Sequence, residues 1–339
     1  MPINRKPFFS FLTNPTLWIW LAVIAVASLI NREVLASWMM TFTGPPAYQS
    51  HLETAETAYS QQAYGEAKAA VRDAIAENSD CAECHAFLGR VLNQLGQFSA
   101  AAVAFRDAIN LDPRTAGAHA GLSSALAEQG RYQEAIDTAQ TAIDLEPDNA
   151  HAYDALSFAL ARDGQAAAAI TAAQQALDRN PNLSSAYNSW GIALAHQDEL
   201  TDAKAKYERA LELDPDSAAV HHNLGVLFAR QEDLTNAIVH FEQSLEINPF
   251  RARTYSALAL TQTQLGQLEA AMENHAEALH WAPNDPSILF QRSLTQLEQG
   301  NRQEAIDSLL RARDLAKEQE QLELLEIIEQ QLRFLERSP

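Results

Sequence analysis

At 339 residues and a formal net charge of -20, the chain is long enough for two ordinary domains or one elongated array, and its acidity sets it against nucleic-acid phosphate and anionic headgroups as partners. Only 12 Gly and 13 Pro interrupt stretches rich in Ala, Leu, Gln and Glu, which is the residue usage of stacked helices and argues for an all-α fold. Cys81 and Cys84, the two cysteines, are too few and too close together to staple a domain.

The charge is uneven. Residues 1–45 hold Arg5, Lys6 and Arg32 against Glu33, so they carry +2 and the remainder carries -22. After a flank of residues 1–11, the run from Pro7 to Asn31 contains no charged residue, and LWIWLAVIAVASLI, Leu17 to Ile30, is apolar almost throughout. Asn14 and Pro15 suit a helix start. A helix from Leu12 to Ile30 would rise about 28 Å, close to the thickness of a bilayer core. Beyond it Leu35, Trp38, Met39 and Phe42 share one face, as an interfacial extension needs, so residues 12–43 are expected to form a transmembrane helix with that extension. Arg5 and Lys6 followed by Ala25-Val26-Ala27 also fit a cleaved signal peptide, although the apolar run continues past that cut through Leu29 and Ile30. The excess positive charge before the run favours a cytoplasmic N-terminus with the body across the membrane. Gly44-Pro45-Pro46 opens a short linker, residues 44–47.

The body repeats. Pro113, Pro147, Pro181, Pro215, Pro249 and Pro283 each follow the last by 34 residues. Such an unbroken period marks a solenoid whose units bury their apolar faces on one another. With proline at position 32, units begin at Tyr48, Ala82, Ala116, Ala150, Ser184, Ala218, Ala252 and Pro286, and position 20 is Ala in all eight. Position 8 is Ala55, Gly89, Ser123, Ser157, Gly191, Gly225, Ala259 or Ser293, and position 27 is Ala or Ser throughout. Small residues at these places predict helix axes that approach closely. Large residues complement them, including Leu88, Leu122 and Trp190 at position 7 and Phe105, Tyr207 and Phe241 at position 24. Gly96, Gly130, Gly164, Gly266 and Gly300 at position 15 supply the turn. Each unit is therefore predicted as helix, turn, helix.

This pattern resembles the tetratricopeptide repeat, with its large residue, Leu-Gly, later Ala and closing Pro at these spacings. The resemblance covers residues 48–319 and implies a right-handed α-solenoid of about eight helix pairs. The ends depart from it: Ser79 replaces proline and Thr54 stands at position 7 of the first unit, while Arg292 stands there in the last. In the final segment, 320–339, Leu322, Leu325, Ile328, Leu332 and Leu335 form one stripe that predicts a capping helix.

Residues 81–85, CAECH, match the C-x-x-C-H signature of covalent haem attachment. The register offers another origin. His85 is position 4, which is also histidine in His51, His119 and His221, where no cysteine is near. Cys84 falls where other units have small or apolar residues, so the pair is expected as small buried thiols; a disulfide or redox role for the pair, or a c-type haem protein, is the alternative. No P-loop, dinucleotide fingerprint, H-E-x-x-H or G-x-S-x-G occurs, and neither enzyme activity, cofactor nor metal is expected. His221-His222 are adjacent, and helix neighbours point about 100° apart.

In the family resembled, the first helices line a concave face, chiefly through positions 2, 5, 9, 12 and 13. Through units four to seven these give His151, Asp154 and Arg162, then Asn188 and His196, then His222 and Arg230, then Arg253 and Gln264. Position 9 adds Phe158, Ile192, Val226 and Leu260. An apolar floor beside cations and amides suits an acidic extended peptide, although cations near helix C-termini also favour the helix dipole without any ligand. The carboxylate clamp of some relatives is incomplete: Asn223 and Arg253 match, while Ser185, Ser189 and Ala257 occupy its other sites. The resemblance implies a membrane-anchored scaffold that binds one or more proteins in assembling a membrane-associated complex.

Overall fold

A computed structural model describes residues 46–337. The segment 12–43 and its flank, where a transmembrane helix is expected, lie outside the described residues. Among the described residues no helix is long and apolar enough to cross a membrane.

These residues form seventeen α-helices and no strand. Sixteen of them pair as eight units: α1 (Ala47–Ser60) with α2 (Tyr64–Glu77), α3 (Ala82–Gln94) with α4 (Phe98–Leu111), α5 (Ala116–Glu128) with α6 (Tyr132–Leu145), and α7 (Ala150–Arg162) with α8 (Ala166–Arg179). Then follow α9 (Ser184–His196) with α10 (Leu200–Leu213), α11 (Ala218–Arg230) with α12 (Leu234–Ile247), α13 (Ala252–Gln264) with α14 (Leu268–Trp281), and α15 (Pro286–Glu298) with α16 (Arg302–Glu318). The last, α17 (Leu322–Arg337), stands alone.

Punctuation explains the boundaries. Asp112, Asn180 and Asn248, each before a proline, leave the helix at φ -138°, -139° and -139°, because a following pyrrolidine ring disfavours the helical region. Asn78 does the same at φ -143° before Ser79, so the first unit keeps its exit without the proline. Position 15 has positive φ in all eight units, filled by Gly96, Gly130, Gly164, Gly266 and Gly300 but also by Gln62, Asp198 and Glu232. For those three side chains the left-handed backbone costs on the order of 1 kcal/mol each.

Within a unit the two helices meet at positions 8 and 24, where sizes are matched. A Cβ on Gly89, Gly191 or Gly225 would fall 2.8, 2.5 or 2.6 Å from the ring of Phe105, Tyr207 or Phe241. Where position 24 is Ala139 or Ala173, position 8 is serine instead: Ser123 and Ser157 donate hydrogen bonds to the carbonyls of Ala135 and Ala169 at 2.8 and 2.9 Å.

Apolar clusters run from the first unit to the sixth. At the far end Ile328, Leu332 and Leu335 of α17 cover Leu309, Ala312 and Ala316, while Leu322 at its start is 73% exposed. Between units seven and eight the core turns polar. His275 is fully buried at position 24, with Nε2 3.0 Å from Thr295 Oγ1 and Nδ1 without a partner. Ser308 donates to Gln296 at 2.8 Å beside it.

Two predictions follow from this packing. Gly225→Ala drives a methyl into the Phe241 ring and should lower stability by about 1–3 kcal/mol, read from urea unfolding, with no loss at the open Gly117, near which a Cβ would meet nothing within 4 Å. Burial, with Arg292 adding to it, lowers the His275 pKa from 6.5 to about 4. The unfolded chain therefore takes up this proton first as pH falls, and stability should drop by roughly 1.4 kcal/mol per pH unit from 6.5 toward 4. His275→Gln should flatten that slope in pH-dependent melts.

Candidate functional site

First helices and turns far apart in the chain come into contact. Arg253, at the start of α13, lies 2.8 Å from Glu128 at the end of α5, and Arg162, at the end of α7, lies 3.5 Å from the same carboxylate. Arg162 also stands over the Phe158 ring at 5.9 Å. Burial alone would raise the Glu128 pKa; Arg253, Arg162 and Arg251 together outweigh it and hold the carboxyl below the usual range.

The other predicted residues spread along this face. Arg230 pairs with Asp198 at 2.9 Å and donates to the Ala195 carbonyl at 2.6 Å. His196 is exposed, its pKa lowered by partial burial and by Arg162 and Arg230. Asn223 Nδ2 donates to Asn188 Oδ1 at 2.7 Å. His222 is buried with Nδ1 3.0 Å from Thr254 Oγ1; burial and then Arg251, Arg253 and Arg162 press its pKa well below 6.5, so the ring is neutral. Of the apolar floor, Val226 is exposed, Phe158 and Leu260 are half-buried, and Ile192 belongs to the core. His151 and Gln264 are exposed, and His151 gives its backbone N–H to the Asn149 cap at 3.0 Å. Asp154 accepts hydrogen bonds from Ser185 and from Ser189, the latter at 2.8 Å.

Sequence reading passed over Glu128, Arg251, Asn248 and Phe250. Glu128 is position 13 of unit three, one unit before the stretch considered, and the same register would have reached it. Arg251 lies at position 34, outside the concave positions, and is brought in by the turn before α13.

The cysteine expectation needs correction. Cys81 and Cys84 are joined in a disulfide, with Cα atoms 5.3 Å apart. Cys81 caps α3 by accepting the Cys84 N–H at 3.1 Å, and one helical turn brings the two sulfurs within bonding reach. Thioether attachment of a haem needs both thiols, and here each sulfur is taken by the other. His85 Nε2 sits 3.1 Å from the Ser79 carbonyl, as His119 does at 3.1 Å from Pro113 and His221 at 3.4 Å from Pro215. In these three units position 4 thus ties the first helix to the turn before it. Among the described residues no group of three or more His, Cys, Asp or Glu could hold a metal ion.

Two profiles described as tetratricopeptide repeat match the chain, one over residues 52–113 and 88–150 and another over residues 182–249 and 216–282, together more than half of it. The chain belongs to the tetratricopeptide repeat family. No curated protein matches it in sequence. Among solved structures, the tetratricopeptide solenoid resembles the APC/C hetero-tetramer Cut9-Hcn1, with TM-score 0.62 and 17% identity over 86% of this chain and 58% of that chain. It also resembles human IFIT1 in a dimer with PPP-AAAA, with TM-score 0.57 and 19% identity over 81% and 77%, and a monomeric IFIT1 mutant with Gppp-AAAA, with TM-score 0.59 and 19% identity over 77% and 67%. At these identities the likeness is one of fold. This tetratricopeptide chain spans little more than half of the first of them.

Burial raises the Asp154 pKa against the pull of Ser185, Ser189 and His151, so its charge costs stability at neutral pH and the cost fades as pH falls through the raised value. Asp154→Asn keeps an acceptor for Ser189 and should stabilise the protein at pH 7 by on the order of 1 kcal/mol, a gap that thermal melts should show closing in acid.

Proposed function

We propose that this chain is a non-enzymatic, membrane-anchored scaffold that holds protein partners through acidic segments along its concave face and serves the assembly or stabilisation of a membrane-associated complex. One observation carries the reading: in a body of strong negative charge, Arg162, Arg230, Arg251 and Arg253 gather on the inner face. Opposite potentials of that kind steer and orient a partner. Tetratricopeptide proteins bind protein partners, which agrees with it. The anchor rests on the uncharged run from Pro7 to Asn31, long enough for a bilayer core, and on the positive flank for its orientation.

The likeness to IFIT1 structures holding PPP-AAAA and Gppp-AAAA supplies a second reading, a phosphorylated oligonucleotide in the same place. The net charge of -20 opposes it, since polyphosphate would meet repulsion over most of the surface.

Crosslinking in native membranes followed by mass spectrometry identifies the partner, and protease protection in sealed vesicles gives the side of the body. Deletion of residues 1–45 should release the chain from carbonate-washed membranes into the supernatant. Arg162→Glu with Arg230→Glu should abolish capture of the crosslinked partner while leaving the far-ultraviolet circular dichroism unchanged; undiminished capture would remove the concave face from the account.

A further inference from the structure

The solenoid touches itself. Asn248 Nδ2, in the turn between α12 and α13, donates to the Gln94 carbonyl at 2.8 Å across 154 residues of chain. Phe250 packs on the cluster of the first two units, which includes Leu95, and its carbonyl lies 3.5 Å from where a Cβ on Gly96 would stand. A few residues on, Arg253 reaches Glu128 across 125 residues. Units one to three thus meet the end of unit six and the start of unit seven and close a ring.

The charges at this seam do not balance. Arg162, Arg251 and Arg253 surround a single carboxylate, Glu128, and all three raise the local potential felt by neutral His222. Arg162 and Arg253 have their ion pairs. Arg251 is half-buried, its pKa lowered first by burial and then by Arg253, and among the described residues no hydrogen bond or ion pair within 4 Å satisfies its guanidinium. Its nitrogens are not sealed from solvent, but a seam built only for closure would still match each partly desolvated cation with an anion or use apolar contacts, because lost hydration without a partner is costly. Three guanidinium groups served by one carboxylate form a site at which another carboxylate can take its place.

We propose that Arg162, Arg251 and Arg253 form a binding site for a side-chain carboxylate of an acidic partner peptide, and that Glu128 is its resident competitor, holding the ring shut when the site is empty. This rests on the scaffold reading and specifies its ligand and its regulation. The peptide is favoured over phosphate because the acidic body repels a polyanion as a whole, whereas an isolated carboxylate with apolar neighbours matches a cation cluster bordered by Phe158 and Phe250. Binding then exchanges one carboxylate for another. Glu128 leaves Arg253, and the turn carrying Asn248 and Phe250 is freed from the first units.

The test uses the purified full chain and a fluorescein-labelled leucine- and serine-rich peptide carrying a single Glu, followed by fluorescence anisotropy at low salt, with hydrogen exchange measured on the same samples. Glu128→Gln should tighten binding by about fivefold, the equivalent of roughly 1 kcal/mol, and should speed exchange of the amides at 94–97 and 248–255. Arg251→Gln should weaken binding in both the wild-type and Glu128→Gln backgrounds. Arg253→Gln opens the seam from the other side, so it should speed exchange without tightening binding, and it provides a check if Glu128→Gln fails to fold. Equal binding by wild type and Glu128→Gln, with losses still seen in the arginine variants, overturns the competitor while leaving the acidic-peptide site. Absence of peptide binding by every variant overturns both. Binding of PPP-AAAA in place of the peptide, lost in Arg251→Gln, overturns the proposal in favour of phosphate.

Discussion

Everything in this molecule depends on how closely the two helices of a unit approach. Positions 8 and 24 set that distance by trading volume: glycine faces an aromatic ring in units two, five and six, and serine faces alanine in units three and four. A packed interior has little slack to absorb a mismatch, so each pair is a tightly fitted wedge. Stacked wedges curve, and that curvature carries Arg253 back to Glu128. The seam is a distant result of a local steric rule repeated along the chain.

This explains what was legible in the sequence. A rule operating within 34 residues leaves a period, and the period yields the helices, the turns at position 15 and the cap whose Ile328, Leu332 and Leu335 cover the last unit. Contacts between units one to three and the junction of units six and seven leave none. They depend on the rotation accumulated over several wedges, and nothing in the surroundings of Glu128 or Asn248 records it. The left-handed turn shows a smaller gap of the same kind: glycine announces it in five units, but Gln62, Asp198 and Glu232 adopt it because the flanking helices impose it. The disulfide was open to a plainer reading, since a cap residue and the third residue of a helix are near neighbours whatever their chemistry.

Electrostatics divides the molecule by depth. Carboxylates outnumber cations over the chain as a whole, whereas three of the four arginines of the inner face are tied to partners within the chain, Arg230 to Asp198 and Arg162 and Arg253 to Glu128. The inner face is therefore already occupied in the resting molecule, and any ligand gains only the difference between its contacts and those it displaces. The polar junction of units seven and eight lies beside the seam in the chain. There His275 and Gln296 replace the apolar contacts of earlier units, so the array beyond the ring is joined to it through a polar core.

A ring that meets itself also counts. Units four, five and six, residues 150–251, lie whole between Glu128 and Arg253. Arrays of this type lengthen and shorten by gain or loss of entire repeats, each adding its own small rotation. An extra repeat inside that arc would carry Arg253 past its mate, whereas one added beyond unit seven would leave the meeting point alone. Descendants of this gene are thus free to grow at the tail and held to a fixed number of repeats in the middle.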